Sequence, residues 1–250
     1  MNLLALLENL GQFAYFALRA LGAIVPALRQ PREISRQLYG VLIGGLPLSA
    51  VAGLALGVVI WIHLRGVLAR FGAEHFLPIA LSLAVVLEFA PIGAGLIAAG
   101  RSGASIGAEL GSMRLTEQID ALEVLGLSVW RDIVAPRVLA CMIALPLLTV
   151  FIAYLAIVGG FAAEALGGTM SWTQYQAACL QELRLQDVIP ATLKTVVFGF
   201  LVGVSGCYFG MTAQGGTEGV GTAATRGVVT SIFLVLVSNV LLVRAIQLLQ

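Results

Sequence analysis

The chain has 250 residues, 59% hydrophobic and 11% charged, with a formal net charge of +1 and a mean hydropathy of +0.99. That is far more apolar material than a soluble domain of this length needs for a core, so the composition points to a bilayer and offers no basic surface for nucleic acid. Three cysteines, Cys141, Cys179 and Cys207, show no paired spacing and imply neither a disulfide framework nor a zinc site.

The N-terminal segment lacks the early basic region of a signal peptide, its first charge being Glu8. Leu3, Leu6, Leu10, Phe13, Ala17, Leu21 and Ile24 recur at three or four residues, while Glu8, Asn9, Gln12 and Arg19 interrupt the rest. This pattern predicts a helix over residues 1–30 that lies in the membrane interface rather than a sixth span. Pro31 then ends it.

Five uncharged runs follow, between Arg36 and Arg65, Glu74 and Arg101, Arg137 and Glu164, Lys194 and Glu218, and Arg226 and Arg244; Glu88 interrupts the second. Each is near the roughly 20 residues that cross a bilayer. The prediction is an all-α integral membrane protein, a single domain over residues 1–250 with an interfacial helix and a five-span bundle over 37–250. Arg19, Arg29, Arg32, Arg36, Arg101, Arg114, Arg131, Arg137 and Arg226 fall on one side, against Arg65, Arg70, Arg184, Lys194 and Arg244 on the other. The excess predicts a cytoplasmic N-terminus and an external C-terminus.

Residues 100–126 read GRSGASIGAELGSMRLTEQIDALEVLG. Gly100, Gly103, Gly107 and Gly111 form a helical stripe that lets a neighbouring backbone approach closely, the alternative being direct substrate contact. Gly100-Arg101-Ser102-Gly103 matches the GxSG of rhomboid-type proteases. That chemistry needs a histidine base placed later in the chain, and His63 and His75 both precede Ser102. Beyond Met113, Leu115, Ile119, Leu122 and Leu125 form an apolar face opposite Glu117, Gln118, Asp120 and Glu123, with Thr116 as N-cap and Gly126 as stop. This predicts a short amphipathic helix, either a solvated turn or a knob that docks a cytoplasmic partner. Gly215 to Gly221 resembles a phosphate loop only in composition, because no GxxxxGK[ST] pattern occurs.

Glu88, in LEFAPIGAG, is the acid placed mid-span. A carboxylate there needs a partner, water or the bundle interior. It reads equally as a polar point on a substrate path and as a buried interhelical hydrogen bond, with Pro91 freeing backbone carbonyls nearby.

The blocks EFAPIGAGLIAAGRSGASIGAELGSMRLTEQIDALEVLG, FGFLVGVSGCYFG and GGTEGVGTAATRGVVTS, with the smaller Phe71-Gly72-Ala73-Glu74, resemble the MlaE/YrbE family, the permeases of MCE-type ABC lipid transporters. The resemblance runs from about Tyr39 to Leu242. It implies a homodimer with lipid, most readily phospholipid, at the subunit interface of a bacterial inner membrane. It also implies a separate cytoplasmic ABC ATPase holding ATP and Mg, a periplasmic MCE-domain protein and, in some systems, a STAS-domain subunit. This chain would then carry no catalytic residue, metal or cofactor of its own. The docking helix would use Arg114, Glu117, Gln118, Asp120 and Glu123, and the lipid would meet Glu88, His63 and Arg65. The chain departs from the family pattern at Leu87 (usually Arg), His63 (Gln), Ser128-Val129 (Asp-Pro) and Asn239 (Asp). A different class, a stand-alone secondary transporter or channel with Glu88 as ion or proton site, remains the alternative.

Overall fold

The computed structural model describes residues 3–167 and 170–249, which form helices with no strand among them. Six helical stretches are long and apolar enough to cross a membrane. The elements are α1 (Leu3–Ala27), α2 (Pro31–Leu68), α3 (Leu77–Ala84), α4 (Ala90–Ala98), α5 (Ala104–Leu115), α6 (Gln118–Val124), α7 (Ala135–Gly167), α8 (Trp172–Gln181), α9 (Leu185–Met211) and α10 (Gly216–Leu249). Wide π-helical turns at Val85–Phe89 and Ala99–Gly103 join α3, α4 and α5 into one long helix, and a third at Trp130–Val134 leads into α7.

The helices overrun the boundaries predicted from charge. Lys194 lies inside α9 rather than before it, and Arg226 and Arg244 both lie inside α10. A helix does not stop at a charge when the side chain is paired or reaches the surface. The stretch from Gly103 to Leu115 likewise continues the second span instead of following it.

Two kinds of contact hold the bundle. α2 and α7 run parallel and touch backbone to backbone. Gly57 faces the Ala156 carbonyl and the Gly160 nitrogen, while Gly159 faces the Leu54 carbonyl, with no room for a side chain at either position. The second seam joins α5 to α9 and α10: Gly107 packs against Ala224 and Gly206, Gly111 against Val220 and Ala213, and Gly103 against Ser231 and Val202. Gly206 and Gly210 of α9 answer the α5 stripe, meeting the carbonyls of Gly103 and Gly107. Gly100 packs against nothing, so the close-packed stripe begins at Gly103.

α1 meets the bundle near its α6 end. Phe16 stacks on Trp130 at 4.7 Å, Phe13 meets Tyr208 edge-on at 5.3 Å, and Ala23 and Ala27 pack against Ala135 and Leu139. The packed face is turned from the predicted one. Leu10 and Leu21 point outward, and Phe16, Ala20, Ala23 and Ala27 point in, because alanines permit the closer helix approach. Leu3 and Leu6 have side chains outside the described set.

At the opposite end α8, which the hydropathy pattern does not announce, opens with a capping box between Ser171 and Gln174. It packs on α3, where Ser82 Oγ donates to the Cys179 carbonyl at 3.0 Å.

Candidate functional site

Two sites stand out, one inside the bundle and one at its α6 end. The inner site begins with Pro91. Proline has no N–H, so in a regular helix it would leave the carbonyl four residues earlier, that of Leu87, without its partner. Here Lys194 of α9 fills the gap: its Nζ donates to the Leu87 carbonyl at 2.8 Å and to Glu88 Oε2 at 3.1 Å. Asn239 of α10 donates to the same Oε2 at 3.2 Å. Three helical segments are thus pinned at one carboxylate, which sits in the wide turn Val85–Phe89. Wide turns of this kind recur at functional positions because they re-aim side chains that a regular helix would bury.

The pair is lopsided. The Lys194 side chain is 2% exposed, whereas that of Glu88 is 39% exposed. Glu88 faces a cavity whose two adjoining parts are lined by Asp187, Ala191 and Lys194 on one side and by Asn239, Val243, Arg244 and Gln247 on the other. Both readings of Glu88 therefore apply together: it makes an interhelical bond and also lines a polar-mouthed cavity.

His63 and Arg65 do not join this site. His63 sits on the exposed face of α2, its Nδ1 3.0 Å from the carbonyl of Val59 in its own helix. Arg65 lies over the Trp61 ring at 4.9 Å and 3.9 Å from Glu164, which also accepts from Trp61 Nε1 at 2.8 Å. The side chains gathered round Glu88 within the chain come from α9 and α10 instead. The lone lysine in an apolar run was the sequence signal for Lys194, and its place near a predicted span end concealed it.

The second site is the corner between α5 and α6. Glu117 carries the chain round with φ +56°, a left-handed conformation that a non-glycine residue rarely adopts. Thr116 is consequently the C-cap of α5 rather than the N-cap of α6, its hydroxyl donating back to the Ser112 carbonyl at 2.9 Å. Gly126, at φ +76°, ends α6 as predicted, with Leu127 N–H closing on the Leu122 carbonyl at 3.0 Å. Ile119 is buried and Leu122 half-buried, fastening α6 to the bundle, but Leu115 and Leu125 of the predicted apolar face are exposed. Arg114 forms an ion pair with Asp120 across the corner. Glu117, Gln118 and Glu123 are exposed beside Val124 and Leu125. The corner therefore offers a charged rim and an apolar tip.

Behind it, Arg137 of α7 is buried and donates to Glu109 of α5 at 2.7 Å and to the Ile133 carbonyl at 2.9 Å. This ties the segment that carries α6 to α7, and α7 is fused through its glycines to α2. Among the described residues no cluster of His, Cys, Asp and Glu is arranged to hold a metal.

Comparison with known proteins accords with this arrangement. The profile described as Permease MlaE matches residues 34–245. A probable ABC transporter permease protein of Rickettsia typhi is 35% identical over 235 residues, covering 94% of this chain and 91% of its own length. One from Synechocystis is 34% identical over 184 residues, covering 74% of this chain and 70% of its own. The chloroplastic protein Trigalactosyldiacylglycerol 1 of Arabidopsis thaliana is 33% identical over 177 residues, covering 69% of this chain and 49% of its own. With the profile running from the start of α2 almost to the end of α10, the chain belongs to the MlaE family of ABC transporter permeases.

Proposed function

We propose that this protein is the membrane subunit of an ATP-driven lipid transporter, working as a homodimer in a bacterial inner membrane with α6 in the cytoplasm. A separate ABC ATPase docks on the α5–α6 corner, and an MCE-domain protein receives or delivers lipid on the opposite side; a STAS-domain subunit is a further partner in some such systems. Phospholipid is the cargo that the family resemblance favours. The Arabidopsis relative is itself named after a lipid, which supports a lipid cargo of some kind.

The observation that carries the reading is the α5–α6 corner. It sets exposed Glu117, Gln118 and Glu123 beside exposed Val124 and Leu125 on a helix anchored by buried Ile119. A solvated turn has no need of such an anchored tip, whereas a partner that pushes on the bundle does. Movement of α6 would pass through Glu109 and Arg137 to α7, and along the α5–α9 glycine seam to the helices around Glu88. The ATPase supplies ATP hydrolysis, and this chain supplies the path.

The test is charge reversal of Glu117 and Glu123 together. The expected result is loss of the ATPase on co-purification, or ATP hydrolysis that no longer drives lipid movement in liposomes. Full retention of both would remove the docking assignment. Transport by this chain alone, driven by an ion gradient and indifferent to ATP, would instead establish the secondary-transporter alternative with Glu88 as its ion site.

A further inference from the structure

The cavity beside Glu88 has a charge pattern that selects among lipids. It is bordered by two acids, Glu88 and Asp187, and two bases, Lys194 and Arg244. These charges are unequally available. Lys194 is buried and already bonded to Leu87 and Glu88. Oε2 of Glu88 accepts from both Lys194 and Asn239, which leaves Oε1 of a half-exposed carboxylate without a hydrogen bond. Arg244 lies farther along α10 than Asn239, exposed and with neither ion pair nor hydrogen bond among the described residues. Their separation of five residues corresponds to roughly 7.5 Å along the helix axis and about 140° around it, and both border the same part of the cavity. Val240, Val243 and Ile246 provide apolar wall on the same helix.

We infer that this cavity favours a zwitterionic aminophospholipid headgroup, whose ammonium donates to Glu88 Oε1 while its phosphate is held by Arg244. The inference rests on the lipid-permease reading above and adds a cargo class to it. An anionic headgroup without an amine satisfies Arg244 but sets its phosphate near an unshielded carboxylate oxygen. A purely cationic amphiphile suits Glu88 and is repelled by Arg244. Only a headgroup carrying both charges answers both groups, and hydrogen bonds between ionised partners in a partly desolvated cavity are the strong ones.

The experiment uses the intact transporter purified with its partner subunits and placed in nanodiscs of equal phosphatidylethanolamine and phosphatidylglycerol. Tightly bound lipid is then identified by native mass spectrometry. Phosphatidylethanolamine is expected to exceed phosphatidylglycerol by about tenfold or more, the lower end of the effect of one hydrogen bond to a charged group. Glu88→Gln should bring the ratio close to one, and Arg244→Gln should lower retention of both lipids. A wild-type ratio matching the nanodisc, or retention unchanged in Arg244→Gln, overturns the headgroup assignment while leaving the lipid reading intact. Failure of the wild type to retain either phospholipid overturns the lipid reading itself. Because Glu88→Gln also strips Lys194 of its counterion, the wild-type ratio and the exposed Arg244 variant each decide the matter without it.

Discussion

Lys194 donates to the backbone carbonyl of Leu87 at 2.8 Å, taking the place of the N–H that Pro91 lacks. The same ammonium neutralises Glu88, so one side chain settles both a backbone defect and a charge. Removing it leaves a part-buried carbonyl without its donor and a half-exposed carboxylate without its cation. Lys194→Met is therefore expected to destabilise the protein by roughly 1–3 kcal/mol, the range for a desolvated polar group left without its partner, with the half-exposed Glu88 adding less because water reaches it. Adding Glu88→Gln should recover part of that loss, because the unpaired charge goes with it. Melting temperatures of the detergent-solubilised variants measure both; a single variant as stable as wild type would contradict the role given to Lys194.

The glycines separate into those that a methyl group would wreck and those that it would not. A Cβ on Gly57 would lie 1.9 Å from the Ala156 carbonyl oxygen, and one on Gly100 would meet nothing within 4 Å. Gly57→Ala should thus fail to fold or lose several kcal/mol through forced backbone separation, whereas Gly100→Ala should gain up to about 1 kcal/mol from helix propensity. Gly107→Ala falls between them, its Cβ 3.2 Å from Ala224 Cα. Expression level and thermal melting rank the three, and an order other than Gly100, Gly107, Gly57 would contradict the packing described.

Much of the fold was readable because hydrophobic runs and the small-residue period are properties of one helix at a time. The α5 stripe of Gly103, Gly107 and Gly111 is of this kind, as is the stop at Gly126. What escaped depends on pairs of helices. Lys194 marked a span boundary by its charge alone, and nothing local to α9 shows that Leu87, more than a hundred residues earlier, has a carbonyl to be filled. Asn239 stood out only as a departure from the family pattern, although it bonds directly to Glu88. The positive φ of Glu117 breaks the expectation for a non-glycine residue, so the N-cap assigned to Thr116 failed there. α8 is too short and too polar to register against the spans beside it.

The three native cysteines are all free and buried, which makes membrane sidedness directly measurable. Burial pushes the thiol of Cys179, in α8, up to about 11, so it remains protonated and poorly nucleophilic at neutral pH. The unmodified protein should resist a membrane-impermeant maleimide at pH 7, and no background cysteine need be removed. In the protein produced without its partner subunits, which leaves the α6 tip uncovered, Val124→Cys on α6, at 89% exposure, should label only in inverted vesicles, and Phe71→Cys, at 79% exposure, only in intact spheroplasts. The opposite assignment would turn the proposed orientation over and remove the docking of a cytoplasmic ATPase at α6.

The two departures beside Glu88 are best understood as one exchange. In the resembling family an Arg precedes this glutamate and an Asp occupies the position of Asn239; here the residues are Leu87 and Asn239, so one positive and one negative charge are missing together. The local balance survives, and the Asn239 amide now donates to Glu88 Oε2 at 3.2 Å where a carboxylate would repel it. Restoring the acid alone by Asn239→Asp sets two carboxylates on one lysine and turns a hydrogen bond into a repulsion, which should cost about 1–3 kcal/mol at neutral pH. Restoring only the base by Leu87→Arg adds an unmatched cation at the cavity wall and should also destabilise. The double variant regains the family's charge set, so its stability should exceed that of Asn239→Asp. Thermal melting of the four proteins at neutral pH gives the coupling between the two positions. Strictly additive effects would show that Leu87 and Asn239 act independently, and an Asn239→Asp variant as stable as wild type would show that the Asn239 amide contributes nothing at Glu88.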